Sequence, residues 1–334
     1  MNKLCRLLAW MLCCATYTSA VHAAQPTTLL VYTAIENELL DTYKTQFEQR
    51  HPDIKINWVR DSTGVITAKL LAEKDAPKAD AVIGVAATSL MLLKQQNLLQ
   101  PYQPAGFAQL LPSMRDQDTP PQWIGMNAWA TSLCINTRLM KKYNLPYPKT
   151  WQDLTNPIYH DQIAAPNPLS SGSGFMNLSA WIQMWGEEKA WQYNDALNKN
   201  VKMYVHSGSK PCSLAAQGEV AIGLSSSAFA QKLLKRRAPI ELVTFSEGTG
   251  WEMEAGGIIR GTAHQKAAQT LLDWLASEDV AKIGADFSGI TARQAFMTEE
   301  GKAIYKAMIP NNLPWAAEQR DAILATWRQH YEQR

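Results

Sequence analysis

Apolar and polar positions follow two periods that alternate along this chain. Thr28–Thr33 is a short apolar run of strand type. Asn37–Arg50 then sets Leu39, Leu40, Tyr43 and Phe47 at helical spacing before His51-Pro52 ends it. Ile54–Val59 alternates like a strand, the turn Asp61-Ser-Thr-Gly64 follows, and Val65–Glu73 returns to helical spacing. Ala81–Gly84 is a fully apolar strand, followed by the polar stretch Val85–Ser89 and the helix Leu90–Gln96. The order strand, polar loop, helix is that of a parallel sheet with helices on both faces.

The pattern begins again further on. Gln122–Asn136 reads as one long extended segment, and Thr150-Trp-Gln-Asp153 resembles a capping box within a proline-bearing connection. The strand Gln162–Ala165 leads through Asn167-Pro-Leu-Ser-Ser-Gly-Ser-Gly-Phe175 into the helix Met176–Trp185, with a second helix at Glu187–Asn198. The strand Val201–Val205 leads through His206–Pro211 into the helix Cys212–Gln217. The strand Val220–Leu224 leads through Ser225–Ser227 into the helix Ala228–Arg237, and the strand Ile240–Thr244 follows. Gly250–Arg260 reads as a return crossing, and Ala267–Ala276, Ser277–Phe287 and Trp315–Gln333 as helices. The fold class predicted is α/β: two doubly wound lobes joined by two crossover strands, near Gly125–Trp129 and Trp251–Ala255. The division predicted is residues 25–128 with 252–334 in lobe 1, and 129–251 in lobe 2.

The N-terminus adds a compartment. Lys3 and Arg6 precede the apolar run Leu7–Cys14, and Val21-His-Ala23 gives a small-residue cleavage site, so residues 1–23 read as a secretory signal peptide. The run is too short to span a membrane, and Leu12 and Cys13 do not supply the small residue that lipoprotein processing needs before Cys13 or Cys14. The chain holds 32 Lys and Arg against 30 Asp and Glu, and losing Lys3 and Arg6 balances them, which argues against nucleic acid or an anionic membrane as partner. Cys134 and Cys212 remain as an even pair in an oxidising compartment, where one disulfide is expected.

The strand-to-helix loops share one chemistry. Ser62-Thr63-Gly64, Ala87-Thr88-Ser89, Ser170-Ser171-Gly172-Ser173-Gly174 and His206-Ser207-Gly208-Ser209-Lys210, with Ser225–Ser227 as a further candidate, offer hydroxyls and backbone N–H groups at helix starts, and little full positive charge. Ligands of open parallel sheets bind outside the carboxyl ends of the strands, where all these loops fall. Together they predict a cleft that grips a tetrahedral oxyanion through hydrogen bonds and helix ends. The first loop differs: Thr33-Ala-Ile-Glu36 places a carboxylate beside a helix start, as a counter-charge for a ligand ammonium, with Glu252 as the second choice. Trp129, Tyr204 and Trp251 are candidates to wall the ligand.

These segments carry a resemblance. Val31-Tyr-Thr-Ala-Ile-Glu36, Ile56-Asn-Trp-Val-Arg-Asp-Ser-Thr-Gly64, Ala68–Lys74, Pro166–Phe175, His206-Ser-Gly-Ser-Lys-Pro-Cys212 and Gly250-Trp-Glu-Met-Glu254 make the chain similar to the periplasmic solute-binding proteins of ABC importers with the type II fold, in the iron/thiamine/phosphonate branch. Within that branch it most resembles the 2-aminoethylphosphonate-binding proteins. The resemblance implies a monomeric two-lobed carrier, without cofactor, that closes on this small zwitterion and delivers it to permease subunits in the inner membrane.

Other readings were weighed. A ferric-ion site wants hard oxygen donors such as a tyrosine pair. The junction Ile222–Phe229, where ferric relatives carry theirs, reads Gly-Leu-Ser-Ser-Ser-Ala, and His51, His160, His206, His264 and His330 lack ligand spacing, so no metal is expected. Ser207-Gly-Ser-Lys210 matches the Ser-x-x-Lys element of acyl-transfer enzymes, but their Ser-Asp-Asn partner is absent and no catalytic residue is expected. A carrier for another small anion, such as a phosphate ester or a different phosphonate, shares the fold, and Glu36 is the feature that argues against it.

Overall fold

The computed structural model describes residues 25–331, so the expected signal peptide lies outside the described residues. The first half runs β1 (Thr27–Thr33), α1 (Asn37–Arg50), β2 (Ile54–Arg60), α2 (Thr63–Ala72), β3 (Ala81–Ala86), α3 (Ala87–Gln95), β4 (Leu99–Gln100) and β5 (Ile124–Asn136). The middle runs α4 (Thr137–Lys142), β6 (Ile163–Pro166), α5 (Gly172–Trp185), α6 (Glu187–Asn198), β7 (Val201–Val205), α7 (Lys210–Gln217), β8 (Ile222–Ser226), α8 (Ser227–Lys235) and β9 (Ile240–Val243). The chain ends with β10 (Trp251–Ile259), α9 (Gln265–Leu275), α10 (Glu278–Phe287), α11 (Glu299–Ala307) and α12 (Leu313–Tyr331).

The strand order β2-β1-β3-β10-β5-β8-β6-β7 resolves into two parallel triplets with two antiparallel strands between them. In the first lobe β1 lies parallel to β2 and β3. In the second, β6 lies parallel to β7 and β8. The predicted crossovers are β5 and β10, which pair antiparallel with Trp129 opposite Glu252. β5 serves both lobes: its first half pairs with β10, and Thr131–Ile135 pairs with β8. This is the type II periplasmic binding protein architecture, mixed α/β.

Each lobe has its own core. The first is built on Val31, Ile56, Val82, Ile83, Met253 and Leu271, all buried. The second has one cluster around Trp151, Phe175, Trp181 and Ile222, and another around Cys212, Phe229 and Ile240. The last helix departs from the predicted division. Leu313 packs in the first core, but Ala316, Ile323, Trp327 and Tyr331 pack in the second. A chain-order division puts α12 with the lobe it follows; it instead bridges the two, packing against α3 of the first lobe and covering α5 and α6 of the second. Cys134 on β5 and Cys212 on α7 form a disulfide with Cα atoms 5.2 Å apart, fixing the start of α7 against the sheet.

Several helices begin earlier than the hydrophobic pattern predicts. α5 starts at Gly172 rather than Met176, α7 at Lys210 rather than Cys212, and α3 at Ala87 rather than Leu90. The Ser/Gly stretches are therefore first turns as well as loops. Small polar residues carry no apolar periodicity, so a first turn built from them leaves no mark in the pattern.

Candidate functional site

A cavity lies between the lobes at the carboxyl ends of the parallel strands, lined by first turns from both sides. Ser62 and Thr63 come from α2 of the first lobe. Ser171, Gly172 and Ser173 come from α5, Ser207, Gly208 and Ser209 from the start of α7, and Ser226 from the start of α8. Four helix N-termini thus border one space, each with N–H groups that lack a partner in their own helix. Ser62 caps α2 in extended backbone with no bond from its hydroxyl to the helix, which leaves that hydroxyl for the cavity. The Ser171 hydroxyl accepts from Gly174 N–H at 3.4 Å, and the Ser226 hydroxyl from Phe229 N–H at 3.3 Å. The cavity measures about 60 Å³. One water needs about 10–15 Å³ of such space, so the room suits a ligand of a few heavy atoms.

Charged side chains line the same cavity. The Glu36 side chain makes no capping bond to α1, accepts from the Ser209 hydroxyl at the start of α7 at 3.3 Å, and lies 3.6 Å from the Arg60 guanidinium. Burial raises the Glu36 carboxyl above the usual range, and Arg60 and Ser209 oppose that rise. Arg60 also donates through Nε to the Ile35 carbonyl, which ties the guanidinium to the loop that carries Glu36. Glu254 on β10 also lines the cavity; its carboxyl is pushed up to about 8 by burial first and by the charge of Glu36 second. The β10–β5 register slips between Glu254 and Ala255, an irregularity of the kind that re-aims a side chain beside a site. Trp129 and Phe287 form an apolar side, packed with Met176 and Ala228.

Close approach of the lobes depends on Gly64. Its N–H donates to the Ser170 carbonyl of the other lobe at 2.9 Å, and a Cβ there would sit 2.5 Å from the Leu169 carbonyl oxygen. Within the second lobe, a Cβ at Gly208 would strike the Ser173 hydroxyl. At the rim, His206 Nε2 lies 2.6 Å from Asp61 Oδ1, and Lys232 Nζ lies 2.8 Å from Glu38 Oε1.

Other predicted site residues lie outside the cavity lining. Thr88 N–H and hydroxyl both meet Glu252 Oε2, at 3.4 and 2.8 Å, so the start of α3 is neutralised by a protein carboxylate. Glu252 is 2% exposed and pushed up to about 7, by burial first and against its bonds from Met253 and Thr88; it is not among the residues that line the cavity. Ala87 and Ser89 are buried in the first turn of α3. Ser170 donates to the His206 carbonyl at 2.9 Å, a contact that joins two cavity loops from behind. Gly174 lies against Pro166 and Pro168. Lys210 stands at the first position of α7, exposed, and its N–H donates to the Ser207 hydroxyl at 3.3 Å. That bond uses the Lys210 backbone, so the Ser-x-x-Lys match is a helix start here. Tyr204 packs edge-on against Trp327 with centroids 5.2 Å apart, and Trp251 Nε1 donates to the Ile309 carbonyl at 2.9 Å. Neither belongs to the cavity lining.

Ser226 belongs to the Ser225–Ser227 loop expected from the sequence, whereas Arg60, Glu254 and Phe287 are additions of the structure. Glu254 had a visible signal: Glu252 and Glu254 share one face of a strand by the two-residue period, with Met253 in the core behind them. Arg60 ends β2 two residues before Ser62, at the same sheet edge as the other loops. Among the described residues no group of three or more His, Cys, Asp or Glu is placed to hold a metal ion.

Residues 32–282 match the family of bacterial extracellular solute-binding proteins. An uncharacterized protein of Haemophilus influenzae is 27% identical over 315 residues, 90% of each chain. The periplasmic binding protein AfuA of Actinobacillus pleuropneumoniae, solved with fructose-6-phosphate bound, superposes with a TM-score of 0.85 at 24% identity, over 92% of this chain and 99% of that one. Iron-bound HitA of Pseudomonas aeruginosa superposes with a TM-score of 0.77 at 18% identity, over 91% and 99%. At these identities the likeness to the solved structures is one of fold.

Proposed function

The chain belongs to the bacterial extracellular solute-binding protein family, and from that membership we propose that it captures 2-aminoethylphosphonate between its lobes in the periplasm and delivers it to the permease of an ABC importer. The observation that carries this reading is the mixed lining of one cavity: four helix first turns together with the carboxylates of Glu36 and Glu254. The first turns suit a phosphonate, whose oxygens accept from N–H and hydroxyl donors in a field that favours negative charge. The carboxylates suit an ammonium. Trp129 and Phe287 wall the two-carbon linker between them. Binding involves no bond making or breaking, and the ligand is held as a zwitterion whose ends meet opposite charges.

Size and donor chemistry separate this reading from its rivals. The space is small for a hexose phosphate of the kind bound by the Actinobacillus protein. A ferric site of tyrosine oxygens has no counterpart in the cavity lining, which contains no Tyr. A carrier of plain phosphate gains nothing from two carboxylates in the lining, one buried and one half-buried. Thermal unfolding with a ligand panel tests the reading, because a ligand that binds only the native state raises Tm. 2-Aminoethylphosphonate is expected to raise Tm at concentrations where fructose-6-phosphate and ferric citrate leave it unchanged. A larger rise with either of those would replace the proposal.

A further inference from the structure

Glu254 differs from every other acid near the cavity. It is 7% exposed, and its Oε2 has no hydrogen-bond partner at bonding distance among the described residues, although the nearby Asn127 amide favours the charged carboxylate. Glu36 has Arg60 and Ser209, and Glu252 has the first turn of α3. A buried carboxylate oxygen left unpaired is costly and calls for an explanation at the site where it lies. The groups that face it are few. Asn127 is its cross-strand partner on β5, and the buried Tyr43 hydroxyl of α1 feels its charge. Glu36 adds a like charge, Arg60 lies beyond Glu36, and Ala86 and Phe287 are uncharged. Among the described residues no cation is paired with Glu254. Glu36, Arg60, Tyr43, Asn127 and Glu254 all belong to the first lobe or to the strands that cross from it, so the arrangement persists when the lobes part.

We propose that Glu254 is the principal seat of the ligand ammonium, that the empty site keeps a proton on the Glu36–Glu254 pair, and that the arriving ammonium displaces this proton to solvent. The proposal rests on the aminophosphonate reading and deepens it. Two neighbouring carboxylates in a site of low dielectric resist ionising together, and a cation placed between them removes the resistance. Arg60 already offsets Glu36, so the uncompensated charge falls on Glu254. The ligand is thereby selected twice, since an anion without an ammonium leaves the proton in place and gains nothing from Glu254.

Calorimetry at about neutral pH, in two buffers with different heats of ionisation, counts the protons released on binding. 2-Aminoethylphosphonate is expected to release close to one proton from the wild-type protein, and ethylphosphonate none. Glu254→Gln is expected to abolish the release and to weaken 2-aminoethylphosphonate by about 30-fold or more, the lower range for losing one partner of a buried charge pair. The same change should leave ethylphosphonate within about threefold. Tight binding of 2-aminoethylphosphonate to the wild type without proton release overturns the proton-displacement step while the ligand reading stands. Full affinity and full release in Glu254→Gln overturn the assignment to this residue. No binding heat and no competition by 2-aminoethylphosphonate in the wild type removes the ligand reading and this inference with it.

Discussion

Glu36 and Glu254 share a cavity but not a situation. Glu36 is bonded to Ser209 across the lobes and faces Arg60, whereas Glu254 has a free buried oxygen. Glu36→Gln keeps the shape and the Ser209 contact and removes one charge. It is expected to weaken 2-aminoethylphosphonate by about tenfold, a charged hydrogen bond being worth about 1.5–3 kcal/mol, and to weaken ethylphosphonate much less. Equal losses for the two ligands would remove Glu36 from any contact with the ammonium. Glu254 also gives the unliganded protein a pH signature. Its carboxyl lies at about 8 in the fold against an ordinary 4.5, so between those values the native state binds more protons than the unfolded chain. Stability therefore falls as pH rises through that window and levels above it. Glu252, at about 7, acts in the same direction. Denaturant titrations of wild type and Glu254→Gln across the window check this: the wild type should lose more stability than the variant, and parallel curves would contradict the account. The sequence showed Glu36 because it follows a strand and starts a helix. It hid Glu254, because which of two acids on one strand face meets the cavity depends on the slip in the β10 ladder and on what α3 has already claimed.

At the scale of elements, the site is a set of helix beginnings brought to one place by sheet topology. The hydrophobic pattern exposed the strands and the helix bodies, and with them the edge at which the loops gather. The first turns were invisible as helix, since Ser62, Gly172, Ser173 and Ser209 carry no apolar repeat. Thr88 and Ser89 looked equivalent to them and are not, because Glu252 occupies the start of α3. No local signal reports that a long-range partner has already filled a helix end. Gly64 tests the role of close approach. Gly64→Ala places a methyl 2.5 Å from a backbone oxygen of the opposite lobe, while within α2 alanine is the better helix former. The variant is expected to unfold at or slightly above the wild-type Tm without ligand, and to bind 2-aminoethylphosphonate about tenfold or more weakly, since overpacking costs about 1–3 kcal/mol. Unchanged affinity would mean that the lobes do not meet at Gly64 in the bound state.

For the whole molecule, the two-lobed α/β architecture was legible from the repeated strand-loop-helix order and the two long apolar segments that became β5 and β10. The place of α12 was not, because an amphipathic C-terminal helix docks wherever an apolar surface remains, and its pattern names no partner. The His206–Asp61 contact at the rim is 57% and 42% exposed, and pairs this wet contribute about 0–1 kcal/mol. Deeper, Trp129, Met176, Ala228 and Phe287 pack together between the lobes. In the proposed reading the ligand adds to closure by bonding to both lobes at once in a space closed to water. A ligand that satisfies only the helix first turns then leaves Glu36 and Glu254 uncompensated, which would separate an aminophosphonate from phosphate. Calorimetric titration of the purified protein with 2-aminoethylphosphonate and with inorganic phosphate measures that difference directly. The account predicts that 2-aminoethylphosphonate binds at least about a hundredfold more tightly, some 2.7 kcal/mol for meeting the two carboxylates. Phosphate binding as well as or better than 2-aminoethylphosphonate would contradict it.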